Sequence, residues 1–108
     1  MARRLVTYSQ ATSDAIGLLG RQISVERRSH KWTQAQLAER IGVTLPTIRA
    51  IENGAETASI GTVFEAAYLL GIPLVGASLD QDLRQTLEAR DALLPSRVAS
   101  LQDDDSDF

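Results

Sequence analysis

Residues 33–54, TQAQLAERIGVTLPTIRAIENG, hold two helix starts and two helix stops within 22 residues. Thr33 is a good N-cap, and Gln36 three places on completes a capping box, each side chain satisfying the other's backbone N–H. Leu37, Ala38 and Ile41 give that helix an apolar face. Gly42 ends it, supplying the left-handed backbone of a sharp turn. Only two residues later Thr44 caps another helix. Pro46 falls in its first turn, where a missing N–H costs little, and Asn53 with Gly54 terminates it. Two helices joined so closely cross near 90–120°. They touch at Ala38, where a larger side chain would force them apart. Leu37, Val43, Ile48 and Ile51 hold the second helix against a core, so that its other face stays exposed.

The flanking segments supply that core. Residues 1–12 lack periodicity and read as an N-terminal arm. A helix is predicted from Ser13 to about Ser29, with Ile16, Leu19 and Ile23 on one stripe. Its end carries Arg27, Arg28 and Lys31, which suit the negative end of a helix dipole. Trp32 stands before the next cap, where it can staple onto Leu37. After a loop at 55–58, Ser59 caps a further helix to about Leu70, and Gly71 closes it. Residues 72–76 are a short apolar connector, either a strand or one helical turn. A last helix is predicted from Asp80 to about Leu93, with a narrow stripe of Leu79, Leu83 and Leu87, and Pro95 stops it. The run DDDSDF at 103–108 cannot bury enough apolar surface to order itself. The expected fold is therefore all-α: five helices, with a helical domain over 13–77, a C-terminal helix over 78–95 and a disordered acidic tail over 96–108.

At 108 residues the chain has room for one such domain and a tail. It has no Cys and one His, which removes thiolate metal sites and leaves little for a proton relay or an active site. No enzyme activity, metal or cofactor is expected. No apolar run approaches the roughly 20 residues of a membrane span, and no secretory signal is visible, so a cytoplasmic protein is expected. The net charge of −3 argues against a nucleic-acid partner only if it is taken whole. Residues 1–53 hold eight basic and four acidic side chains, and residues 54–108 hold three and ten. The first half is thus +4 and the second −7, and a binding face senses the local field.

The spacing in 33–53 is that of a helix-turn-helix. With SIGTVFEAAYLLGI following, the chain resembles the phage repressor and Cro-like (XRE) family over about residues 16–75. Thr33 and Gln34, Gly42 and Val43, and the run from Ile51 to Gly54 carry the resemblance. It implies a lambda-repressor-like domain whose second helix of the pair enters the DNA major groove. Carried over residue by residue, it implies a phosphate contact from Gln34 and backbone or base-edge contacts from Thr44 and Thr47. Leu45, Pro46, Arg49 and Ala50 take base-facing positions, and Asn53 and Ser59 add phosphate contacts. Leu45 and Pro46 depart from the polar residues common in relatives. Neither donates a hydrogen bond, so they pack on thymine methyls, or Pro46 simply starts the helix, and Arg49 is left as the main polar reader, of guanine. The resemblance also implies an ion pair between Arg27 and Glu52. Arg28 and Lys31 beside the turn either bind phosphate or form a solvated helix end.

Within the family the chain is similar to HipB-type antitoxins, which pair with HipA-type kinase toxins. The segment into Trp32, Thr33 and Gln34, the run GAETASIGTV at 54–63 and the ending LPSRV at 94–98 carry this finer likeness. It implies a homodimer on a palindromic operator that represses its own operon in the bacterial cytoplasm, on the nucleoid, and holds a kinase toxin inactive. A free-standing repressor, or a restriction-system controller, is the alternative. Leu79, Leu83 and Leu87 either pack on their own domain or form a dimer or partner surface. Residues 72–77 either form an intersubunit strand or do not. The acidic tail lacks the glycine and closing glutamate of a calcium loop.

Overall fold

The computed structural model describes residues 7–73 and 81–99. Five α-helices run in order: α1 (Gln10–Ser29), α2 (Gln34–Ile41), α3 (Leu45–Glu52), α4 (Ile60–Leu69) and α5 (Gln81–Leu93). The described residues contain no strand. The chain divides into two compact units, Met1–Leu74 and Val75–Phe108, three residues before the boundary expected after residue 77. Residues 74–77 of the expected connector and strand, Leu79, and most of the acidic tail lie outside the described residues.

The first unit packs α1 and α2 against α3, and α4 against α2. Ile23 of α1, Leu37 of α2 and Ile48 of α3 are fully buried at the crossing, with Ala38, Ile51, Ala66, Ala67, Leu70 and Ile72 around them. Burying each large aliphatic side chain contributes about 1.5–3 kcal/mol. The alanines permit the close approach. Trp32 and Val43 pack on the rim of this core.

The helix starts follow local chemistry, with one correction. The expected start of α1 at Ser13 gives way to a cap at Ser9, whose hydroxyl accepts from the Thr12 N–H at 3.2 Å. Gln10 to Thr12, expected in the arm over 1–12, therefore belong to α1. Ser13 instead donates its hydroxyl to the Glu56 carboxylate in the loop after α3. At α2, both halves of the capping box form: Thr33 Oγ1 accepts from the Gln36 N–H at 3.0 Å, and Gln36 Oε1 from the Thr33 N–H at 2.8 Å.

The helix ends share one device. Gly42, Gly54 and Gly71 all have positive φ, at 88°, 78° and 77°. At the ends of α3 and α4 the chain reverses through paired bonds, Gly54 N–H to Ile51 and Ala55 N–H to Ala50, then Gly71 N–H to Tyr68 and Ile72 N–H to Ala67. The end of α1 makes the same pair, Lys31 N–H to Arg28 and Trp32 N–H to Arg27, but the left-handed residue is Lys31, at φ 63°. A side chain there costs energy that glycine would spare.

Candidate nucleic-acid interface

The α2–turn–α3 unit presents one face of α3 to solvent. Thr44 is the N-cap of α3, its Oγ1 accepting from the Thr47 N–H at 3.3 Å and lying 2.9 Å from Thr47 Oγ1. Pro46 and Arg49 are exposed, while Leu45, Thr47 and Ala50 are half-buried. Ile48 and Ile51 occupy the opposite face, in the core. A helix of eight residues with one side fixed and the other bare is the shape a DNA major groove admits.

Beneath α3 lies a polar clamp. Arg27 of α1 donates from Nε to Glu52 Oε2 at 2.6 Å and from Nη2 to Oε1 at 3.0 Å, a bidentate pair. Its Nη1 also donates to the Trp32 carbonyl at 2.8 Å, tying in the turn before α2. Gln34, at the first position of α2, donates from Nε2 to Glu52 Oε1 at 2.9 Å. Side-chain exposures of 10% for Arg27 and 5% for Glu52 make this a nearly enclosed pair. Burial alone would push the Glu52 carboxyl up. The hydrogen bonds from Arg27 and Gln34, the Arg27 charge and the Ser24 side chain together hold it below its ordinary value. One carboxylate thus joins α1, the start of α2 and the end of α3, and so fixes the angle at which α3 is offered.

The remaining sequence-predicted residues surround α3. Asn53, at the end of α3, is exposed, with its N–H on the Arg49 carbonyl at 3.0 Å. Ser59 caps α4, and its hydroxyl accepts from the Thr62 N–H at 3.5 Å. Arg28 and Lys31 are exposed at the end of α1, and Arg28 Nε donates to the Ser24 carbonyl at 3.2 Å. In the second unit Leu83 and Leu87 are 38% and 54% exposed.

Three features escaped the sequence. The Gln34 side chain is engaged with Glu52, which leaves its backbone N–H at the start of α2 as the group directed at an anion. Arg40 lies over the Trp32 ring, 4.2 Å from its centroid, and braces the entry to α2. Gly20 of α1 sits where a Cβ would collide with the Ile51 carbonyl and come within 3.0 Å of that of Glu52, so α1 and α3 cross in near backbone contact. Only the last has a sequence signal, a glycine inside a helix with no turn to explain it.

An exposed recognition face, held by an internal ion pair on two short crossed helices, defines a small DNA-binding regulator. Residues 23–76, half of the chain, match the helix-turn-helix family. The chain belongs to that family and is a DNA-binding transcription regulator of the XRE type. No curated protein and no solved structure matches it. Among the described residues no helix is long and apolar enough to cross a membrane.

Proposed function

We propose that the chain is a homodimeric repressor that lays α3 of each protomer in successive major grooves of a palindromic operator. The observation that carries this reading is the bare face of α3 above the enclosed Arg27–Glu52–Gln34 clamp. Thr44, Leu45, Pro46, Thr47, Arg49 and Ala50 meet base edges and the adjoining backbone. Gln34, Asn53, Ser59, Arg28 and Lys31 meet phosphates. One eight-residue helix reads only a short half-site, so two protomers about one DNA turn apart supply the specificity. Leu45 and Pro46 offer only apolar contact, which assigns thymine methyls to the start of α3 and guanine to Arg49.

The finer reading is an antitoxin of the HipB type, acting in the bacterial cytoplasm, autorepressing its operon and neutralising a HipA-type kinase toxin. The likeness at 54–63 and 94–98 supports it, together with exposed leucines on α5 that suit a protein partner. Selection of bound duplexes from a random pool should return an inverted repeat, and light scattering should give twice the chain mass. Co-purification from the native operon tests the partner. A kinase-like protein recovered with the chain supports the antitoxin. Its absence, with no kinase-like gene adjacent, leaves a free-standing repressor or a restriction-system controller. Recovery of single, unrepeated sites by a monomer would overturn the dimer.

A further inference from the structure

Where α1 passes the end of α3, an open groove of about 540 Å³ is lined by Asp14, Arg21, Ser24, Arg28, Glu52 and Asn53. Arg21 and Arg28 are two helical turns apart on one face of α1, about 10 Å along its axis. Both are exposed. Among the described residues the one ion pair is Arg27 with Glu52, so neither guanidinium has a carboxylate partner. The two acids of the groove are already engaged. Glu52 accepts from Arg27 and Gln34, and Asp14 accepts from Gln10 Nε2 at 2.8 Å. Arg28 has only its Nε in use, on the Ser24 carbonyl, which leaves its outer fork of N–H donors to solvent. Asn53, which begins the turn out of α3, forms the opposite wall.

We propose that this groove binds a phosphodiester of the DNA backbone, with Arg21 and Arg28 donating to its anionic oxygens and Asn53 setting the register of the strand. The site extends the footprint from α3 onto α1 and adds Arg21, which the helix-turn-helix spacing does not reach. It rests on the DNA-binding reading. A guanidinium fork fits two phosphate oxygens at once, and Arg21 and Arg28 set two such forks along one face of α1, beside a Glu52 whose charge is paired with Arg27 and an Asp14 that keeps its charge while accepting from the Gln10 amide. Such a contact carries no base information. It places the protein on the duplex and contributes to the salt dependence.

The test is the salt dependence of the full chain on two duplexes, its selected operator and an unrelated sequence, from about 50 to 200 mM salt. Arg21→Ala should weaken binding to both duplexes by a similar factor and reduce the slope of log K against log salt by about one. Arg21→Lys should keep the slope, and Arg21→Glu should weaken both duplexes further. Arg84→Ala on α5 serves as the control, with affinity and slope unchanged. Trp32 fluorescence during unfolding verifies that each variant is folded. A wild type with steep salt dependence and an Arg21→Ala variant of equal affinity and slope would overturn the site and leave the DNA-binding reading standing. A selective loss on the operator would instead make Arg21 a base reader and also overturn it. A wild type that binds neither duplex sinks both.

Discussion

Residues 7–73 enclose a core, and residues 82–99 enclose none. Among the described residues every buried one belongs to the first region, where Ile23, Leu37 and Ile48 have no exposed surface. In the second region every residue is exposed, with Leu93 at 84% and Leu94 at 59%. The 13-residue α5 is near the length at which an isolated helix is marginal in water. The first region carries its own core and leaves one face of α3, with Thr44, Pro46 and Arg49, exposed. The second, taken by itself, has no buried residue among those described.

The largest effect should come from the clamp. Arg27→Met leaves the Glu52 carboxylate buried without its partner, and denaturation followed by Trp32 fluorescence should show a loss of about 3–5 kcal/mol. Replacing both partners, Arg27→Met with Glu52→Leu, should recover most of it. A single variant within about 0.5 kcal/mol of wild type would show that α3 is not held this way. Leu87→Asp probes the other region. It should weaken binding of the proposed kinase-like partner by about 10- to 100-fold in co-purification, roughly 1.4–2.8 kcal/mol, and leave the Trp32 transition within about 0.5 kcal/mol. A large shift of that transition would erase the contrast between the regions.

Lys31→Gly should act in the opposite sense. It places glycine in the left-handed position that glycine already fills at the ends of α3 and α4, and should stabilise the first region by about 1 kcal/mol. Under the proposed phosphate role it should also weaken DNA binding. A stabilised variant that binds like wild type would remove Lys31 from the interface. Acidification gives a graded test. The folded Glu52 carboxyl lies below its ordinary value, so its contribution is fully present above the ordinary carboxylate range. That contribution is lost as pH falls through the lowered folded value. Urea midpoints of wild type should fall in that acid window more steeply than those of the Arg27→Met, Glu52→Leu pair. Parallel curves would mean the clamp does not couple to folding.

Much of the first region could be read from sequence because its determinants are local. Thr33 with Gln36, Thr44 with Pro46, and Gly42 each fix their helix end through neighbours within four residues, and the structure has all of them. α1 starts one turn before Ser13, at the Ser9 cap, and Ser13 bonds instead to Glu56, 43 residues away. The candidate site was less legible. Glu52 with Gln34 spans 18 residues, and the closeness of Gly20 to the end of α3 spans over thirty. No periodicity encodes either contact. Arg21 carries no motif at all. Its setting emerges only when α1 lies beside Asn53.

The central claim is that the exposed face of α3 reads sequence, with Arg49 as its main polar reader. The direct measurement is the affinity of Arg49→Ala for the selected operator and for unrelated duplex at one salt concentration. A loss of about 1–3 kcal/mol on the operator, roughly 5- to 150-fold, with little change on unrelated DNA, is the predicted result. Equal affinity of variant and wild type for the operator would contradict it.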